Sequence, residues 1–484
     1  MISAVPHSPA GYRWLVLGIA AVALAAVALT GHPLAAGVPV LAALALHLLF
    51  AARVQTLSRA LIAIALLSES PEDTPAAGLW VSPLEWLGRV MLGNLNQLSG
   101  VGALSFSLFD LLAGGLVLCL FLRSCAGLER GLLPRSLKQA LVSSLLALVA
   151  LALYGLARGG NASATYWQLR QIAWLPALSW IAAAGVQTRA QVRALGKLVI
   201  AAAVVKTLVG LYFYVAICLP QGLHPAYVTT HSDTVLFVLA LAIGWIAWVE
   251  QPTPRALRFA LGLTAMVGAA LVLNDRRVAW VELPLVLATA WAFAPRAPGR
   301  RRMTAFALVS APLLFVYGAF GWGSEAALFR PVHALRTMAD SKGDSSTHYR
   351  EVENFDLART FAAAPVFGSG FGHTYLEVVH IEDISREFEF YRYIPHNSLL
   401  GLLAAGGLVG FCVVLSPVVV AVYLASAAWT RSDPEGRITA LSAIAGVIAF
   451  LLQAFGDMGS QSWSTVGVLA ASIAVSGRQE VARG

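Results

Sequence analysis

The chain is 484 residues long, 58% hydrophobic and only 12% charged. A soluble globular domain carries about 25% charged residues, so this composition excludes an ordinary soluble fold and indicates a membrane protein. The formal net charge is +8, but the basic residues lie mainly in short loops between apolar runs, as is typical of cytoplasmic loops beside membrane spans. We therefore expect membrane lipids as partners and no nucleic acid.

Apolar runs near the length that crosses a bilayer core of roughly 30 Å recur along the chain. The predicted spans are 14–31, 34–52, 101–122, 139–157, 171–187, 197–218, 234–250, 257–273, 278–295, 304–321, 398–425, 438–455 and 462–477. They predict an all-α polytopic membrane protein with about 12–14 transmembrane helices. We expect a single transmembrane domain over residues 1–484, with one long loop, 322–397, inserted between two spans.

Basic residues occur in every second loop from residue 123 onward, and this alternation sets the orientation. The cytoplasmic loops are predicted at 123–138, 189–197, 255–258, 296–302 and 431–437, and the outward loops at 158–170, 219–233, 274–277, 322–397 and 456–461. How the chain crosses the membrane between residues 54 and 100 is not decided by the sequence, because the apolar run 60–67 is too short to span the bilayer alone. Residues 80–98 have the pattern of an interfacial helix with a tryptophan anchor.

The outward loop 322–397 is the longest polar stretch, with 7 basic and 11 acidic residues. Within it, residues 364–373 read APVFGSGFGH. The alternating Gly368, Gly370 and Gly372 let the backbone turn sharply and approach a ligand closely, although a simple flexible turn is the alternative. The segment is not a dinucleotide fingerprint, since no strand precedes it.

The same loop ends in the sequence YIPHNSLL, followed by a glycine-rich span. Asn397 or Ser398 can cap the free N–H groups at the start of that span. His396 then lies at the outer membrane boundary, where an imidazole can exchange protons and act as a general base. The alternative is an interfacial histidine with a structural role only.

Two arginines, Arg276 and Arg277, occupy a short outward turn between two spans, against the usual placement of positive charge inside. Guanidinium groups bind phosphate in a planar, bidentate way, so this pair suits a diphosphate; contact with lipid phosphates is the alternative. Further candidates on the outward face are Arg158, Arg170, His231, Arg350, Arg359 and Asp457. Within spans, Asp110, Lys206 and Glu282 should face the bundle interior, and an Asp110–Lys206 pair would be structural.

Taken together, these motifs resemble the O-antigen ligase/polymerase superfamily over roughly residues 230–425. Members of that family have a long periplasmic loop before a helix that starts with His-Asn, and an arginine, usually after serine, at an external helix connection. Arg277 matches this arginine, with Arg276 where serine is usual. The resemblance implies a multi-pass protein of the bacterial inner membrane whose active site faces the periplasm. It also implies an enzyme that needs no metal, cofactor or nucleotide sugar, and the outward loops contain no Asp-x-Asp motif.

The implied reaction transfers a glycan from an undecaprenyl-diphosphate-linked oligosaccharide donor to a hydroxyl of a glycan or lipid A core acceptor. His396 would be the base and Arg277 would stabilise the leaving diphosphate. The remaining implied substrate-binding residues are Arg276, Arg170, Arg158, Gly368, Gly370, Gly372, Asn397, Arg350, Arg359 and Asp457. His396 and one of the two arginines should line one cavity, on the order of 10 Å apart, with the glycine segment at its border.

Three functions remain open at this level. A polymerase adds the glycan to another lipid-linked repeat and a ligase adds it to lipid A core; the acidic, aromatic segment 387–393, which could bind sugars on both sides, favours the polymerase. A transporter or flippase is the alternative of another class. Transporters commonly show internal repeats and midplane charges, whereas this chain has no evident repeat and its polar cluster lies at the outer surface.

Overall fold

The computed structural model describes residues 21–22, 25, 54–70, 79–95, 106–127, 132–225, 227–293, 298–324, 326, 329–339, 345–380, 383–386 and 388–481. Within these ranges the regular structure is helical, apart from an isolated bridge between Asn94 and Ser107. The first helices are α1 (Val54–Leu67), α2 (Pro83–Met91), α3 (Leu108–Cys125), α4 (Arg135–Ala157), α5 (Ala162–Gly185), α6 (Arg189–Tyr212), α7 (Asp233–Glu250) and α8 (Pro254–Leu273). They are followed by α9 (Arg277–Phe293), α10 (Pro298–Gly321), α11 (Arg330–Ala339), α12 (Ser345–Ala363), α13 (Ser398–Val414), α14 (Ser416–Trp429), α15 (Pro434–Gly456) and α16 (Trp463–Val481).

Eight continuous helical stretches in the described part of the chain are long and apolar enough to cross a membrane. The all-α polytopic fold is therefore confirmed. Helices also occupy the predicted spans 171–187, 278–295 and 462–477, as α5, α9 and α16. The predicted spans 14–31 and 34–52 lie almost wholly outside the described residues.

The core of the bundle forms around α7, whose apolar stretch is 72% buried. It packs against α6, α8, α9, α15 and α16 through small and branched apolar side chains. In contrast, α10 exposes large apolar residues such as Leu308, Leu313 and Phe315. An apolar surface of this size is explained by contact with lipid chains.

The short helix α1 is the membrane crossing between residues 54 and 100 that the loop charges require but do not locate. Its start lies beside the end of α5, because a Cβ on Gly185 would approach Ser58 and Arg59 within 3.3 Å. Its other end leads to Glu69, which accepts a 2.7 Å hydrogen bond from Ser82 just before the interfacial helix α2. Fourteen residues reach only about 21 Å, which suffices because α1 is enclosed by α5 and α16 rather than exposed to lipid.

The long loop contains two helices, α11 and α12, before it returns to the bundle. The apolar side of α12 packs through Leu357 on Tyr375 and on Ala404 of α13. Pro365 follows α12, and a proline restricts the preceding residue to extended conformations, so the helix ends there. Helix α13 is itself interrupted at Gly407, whose φ of 58° and ψ of −169° are not helical.

Charged residues inside the bundle are buried, as predicted, but their partners differ from the prediction. Lys206 pairs with Asp233 at 2.5 Å, and both side chains are almost fully buried. Asp110 pairs with Arg170 at 3.3 Å and also caps the start of α3. The predicted Asp110–Lys206 pair is therefore wrong. Glu282 is fully buried in α9, and neither of its carboxyl oxygens has a hydrogen-bond partner in the described part of the chain.

The arrangement predicts which loops an impermeant thiol reagent can reach in intact cells. In a background with Cys125 and Cys412 replaced by alanine, a cysteine at Ser346 in α12 should label before lysis. A cysteine at Gln251, between α7 and α8, should label only after lysis, because the three helices α8, α9 and α10 separate it from position 346 and an odd number of crossings places the two positions on opposite sides. Labelling of position 346 only after lysis would contradict the orientation.

Candidate active site

A buried carboxylate holds His396 just before the start of α13. The backbone N–H of His396 donates to Glu353 Oε2 at 2.9 Å, and its ring Nδ1 lies 3.3 Å from Glu353 Oε1. The Glu353 side chain is 1% exposed, whereas the His396 side chain is 23% exposed. With the proton on Nδ1 donated to this carboxylate, Nε2 is the nitrogen that can take up a proton.

Neighbouring side chains fix the surroundings of this pair. Asn397 accepts a hydrogen bond from Leu400 as the cap of α13, and its amide donates to Asn354 of α12 at 3.0 Å. The ring of Tyr349 meets the His396 ring edge to face, 5.5 Å between centroids. Burial, and then the charge of Glu353, raise the pKa of Tyr349, so this phenol stays neutral beside the histidine.

The turn with the two arginines is positioned by a buried asparagine, Asn274. Its Oδ1 accepts hydrogen bonds from the backbone of Val228 and Thr229, and its amide donates to Thr229 Oγ1 at 2.7 Å. These contacts join the turn after α8 to the segment before α7. The guanidinium of Arg276 consequently lies over the ring of Tyr227, 4.6 Å from the centroid. Burial lowers the pKa of Arg276.

Asp457, at the C-terminal end of α15, is the acidic centre of the same region. Its carboxylate lies 3.5 Å from Arg350 Nη2 and 3.5 Å from His231 Nδ1. Burial by itself raises the pKa of Asp457, but the hydrogen bond from His231 and the positive charges of Arg350 and Arg276 outweigh it and hold the pKa below its usual range. Asp457 is therefore ionised and keeps the basic groups together.

Helix α12 connects the histidine with the arginines. Thr347 accepts a 2.5 Å hydrogen bond from Arg277, Arg350 contacts Asp457, and Glu353 contacts His396. These three α12 residues are spaced i, i+3 and i+6, so they share one face of the helix. At 1.5 Å per residue they extend over ~9 Å along the axis. The helix thus gathers side chains from α9, α13 and α15 at one end of the bundle.

The glycine segment is packed into the bundle backbone to backbone. Gly368, Gly370 and Gly372 all have positive φ, at 68°, 83° and 86°. The N–H of Gly370 donates to Ala405 O at 2.8 Å, and a Cβ on Gly370 would lie 2.4 Å from the Cα of Gly155. Glycine is therefore required by conformation and close packing at this position, and the substrate-binding role of the segment remains a prediction.

Three of the predicted site residues lie apart from this cluster. Arg170 is directed toward Asp110 and the carbonyl of Leu92, so its guanidinium is committed to the α3–α5 contact. Arg158 is exposed and contacts Tyr154 of its own helix. Arg359 lies on the exposed face of α12, 5.0 Å from the ring centre of Phe355. We do not include these three arginines in the site.

Sequence reasoning missed Glu353, Asn274 and Tyr227. A signal for Glu353 exists in the loop, because Thr347, Arg350 and Glu353 repeat at helical spacing and would mark one polar face of an amphipathic helix. Asn274 has no comparable signal. Its importance comes from partners 45 and 46 residues away, which only the fold brings close.

The fold defines a multi-span membrane protein, and the side chains of the candidate site lie together at one end of its helical bundle. Residues 262–415 match the family model described as O-antigen ligase. This match includes both arginines and His396, and it confirms the resemblance to the O-antigen ligase/polymerase superfamily, whose members are glycosyltransferase-type enzymes. No curated protein matches the chain.

Packing of the glycine segment leads to a stability prediction for Gly370→Ala, with Gly159→Ala as the control. Both positions have positive φ, but a Cβ at Gly159 meets nothing within 4 Å. The control should lose roughly 1 kcal/mol through backbone strain alone, whereas Gly370→Ala adds a clash with backbone and should unfold at a clearly lower temperature. Melting of the detergent-purified variants would measure this, and equal melting temperatures would contradict the close packing.

Proposed function

We propose that this protein transfers a glycan from a polyprenyl-diphosphate-linked donor to an acceptor hydroxyl on the periplasmic side of the bacterial inner membrane, in the assembly of surface polysaccharide. The observation that carries the proposal is the His396–Glu353 pair on the same helix face as the contacts to Arg277 and Arg350. A base and a set of guanidinium groups are the two elements that a glycosyl transfer from a diphosphate requires.

His396 is the proposed general base. Its Nε2 takes the proton of the acceptor hydroxyl while the acceptor oxygen bonds to the anomeric carbon of the donor sugar. The imidazolium that forms is stabilised by the carboxylate of Glu353, which also orients the ring through Nδ1. The second hydrogen bond of Glu353, to the backbone of His396, fixes the position from which the ring reaches the acceptor.

Arg277, with Arg276 and Arg350, is proposed to bind the diphosphate. As the bond from the anomeric carbon to the diphosphate oxygen breaks, negative charge grows on the departing group, and preorganised cations stabilise it. Asp457 holds Arg350 in place before substrate arrives, and its negative charge also attracts Arg276. The polyprenyl chain remains in the bilayer throughout, since its apolar surface makes transfer to water costly.

Among acceptors, a second lipid-linked repeat is favoured, which makes the protein a polymerase of O-antigen or exopolysaccharide. The ring of Phe390 lies 6.2 Å, between centroids, from the ring of Trp167 and 6.2 Å from that of Tyr393, and Phe390 and Tyr393 are close to His396 in the chain. Rings placed there offer apolar faces to a second glycan chain. The description of the matching family as O-antigen ligase favours the second candidate, transfer to lipid A core.

Substitution of the pair tests the chemistry directly. His396→Ala should lower turnover about 100- to 10,000-fold through loss of the base, and Glu353→Gln about 10- to 100-fold through loss of the orienting charge. The control is Glu351→Gln, which removes the same charge from the exposed face of the same helix and should leave turnover unchanged. Assays with purified protein and a lipid-linked donor would measure this, and near wild-type turnover of His396→Ala would refute the base assignment.

Deletion of the gene separates the two acceptors. Loss of a polymerase should leave surface glycan with a single repeat, because the transfer of one unit continues while elongation stops. Loss of a ligase should instead leave long chains attached to the lipid carrier. Analysis of lipid-linked and surface glycans by gel electrophoresis and mass spectrometry distinguishes these patterns, and an unchanged glycan profile would contradict both.

A further inference from the structure

A cavity of about 340 Å³ lies at the end of the bundle opposite to His396. It is an open cleft lined by the first halves of α6 and α15, by Leu239, Ile243 and Gln251 on or just after α7, and by residues 471–475 of α16. The walls are mainly apolar, with Leu195, Val199, Leu239, Ile243 and Ile438 among the lining residues. Its chemistry therefore suits a hydrocarbon chain rather than a sugar.

A more polar pocket of about 130 Å³ adjoins this cavity, and the two share the lining residues Val192, Glu435 and Thr439. The charged residues that line the two spaces in the described structure are Arg189, Arg193, Lys197 and Arg478 on the basic side and Asp433 and Glu435 on the acidic side.

Ion pairs neutralise only part of this positive charge. Arg189 pairs with Asp433 at 2.8 Å, and Arg193 pairs with Glu435 at 3.1 Å. Lys197 forms no ion pair with any residue that the structure describes, and Arg478 donates to the carbonyl of Gln187 rather than to a carboxylate. The mouth of the apolar cavity thus carries a local excess of positive charge at the level where a span leaves the membrane.

We propose that this cavity binds an anionic phospholipid, with one acyl chain in the apolar part and the phosphate at Lys197 and the neighbouring arginines. Basic pockets between transmembrane helices on the cytoplasmic side are suited to anionic headgroups, and the loop charges assign this end of the bundle to that side. The lipid occupies the cleft between α6 and the α15–α16 pair, so it stabilises the packing of these helices.

This lipid is distinct from the proposed glycan donor. Helix α7 has 18 residues and extends ~27 Å, from the candidate active site near its first residue to the cavity near its last. A donor held at Arg276 and Arg277 cannot place its diphosphate at Lys197, because the two positions lie at opposite ends of the bundle. The inference therefore does not depend on the proposed reaction.

Gly196 offers a direct test, because it lines the cavity and a Cβ added there meets nothing within 4 Å. Gly196→Leu should fill the cavity without a clash. The matched control is Gly262→Leu, at an exposed glycine of α8 where a Cβ also has open space. Delipidated wild type and Gly262→Leu should gain several degrees in melting temperature with phosphatidylglycerol and little with phosphatidylcholine. Gly196→Leu should lose this gain.

Lys197→Gln provides a second measurement that does not require filling the cavity. The variant should bind phosphatidylglycerol about fivefold more weakly in native mass spectrometry, the change expected from ~1 kcal/mol per basic residue near an anionic headgroup. Equal stabilisation of wild type by phosphatidylglycerol and phosphatidylcholine would overturn the headgroup assignment. An undiminished gain in Gly196→Leu would overturn the location.

A photoreactive amino acid at position 196 identifies what occupies the cavity. A covalent adduct with phospholipid supports the proposal. A crosslink to a peptide from residues 1–53 shows that another segment of the chain fills the space, and it overturns the proposal.

Discussion

The candidate site is held together by the Glu353 carboxylate. It accepts a hydrogen bond from the backbone amide of His396 and contacts the ring of the same residue. A buried carboxylate that lacks partners is costly, so this contact restricts α12 to the few positions in which both oxygens are satisfied. Once α12 is fixed against the start of α13, the helical spacing of the α12 residues places Thr347 in contact with Arg277 and Arg350 in contact with Asp457. The position of the arginines relative to His396 is thus set by one helix, α12, of the loop 322–397.

Backbone strain marks both flanks of this site. Among the described residues, the non-glycine residues with positive φ are Asp275 and Met458. Asp275 follows the buried Asn274, and Met458 donates its N–H to the carbonyl of His396 at 2.5 Å. Such conformations cost about 1–3 kcal/mol each and persist where the surrounding contacts over-determine them. The site therefore has a rigid inner frame, which suits the preorganised electrostatics that the proposed transfer depends on.

The bundle could be predicted from the sequence because each long span is a local property of about 20 residues. The crossing by α1 could not, since its length is insufficient by itself and becomes sufficient only when neighbouring helices enclose it. Arg277 and His396 could be predicted as site residues from the sequence. Arginine is unusual in an outward loop, and so is a histidine at the start of a transmembrane helix. The exclusion of Arg170 could not be predicted, because its partner Asp110 lies 60 residues earlier and nothing in either segment indicates the pairing.

The attachment of the outer loop bears on how such proteins can diversify. Backbone N–H groups of Val378 and Val379 donate to Asp356, and the N–H of Tyr375 donates to Arg392 O, so the chain is anchored on both sides of residues 380–390. Doubling the length of a flexible loop with fixed ends costs only about 0.6 kcal/mol. Insertions and exchanges in this stretch can therefore be accepted without moving Glu353 or His396. For the proposed transfer, acceptor preference can evolve there, or be altered by design, without a change in the His396–Glu353 pair.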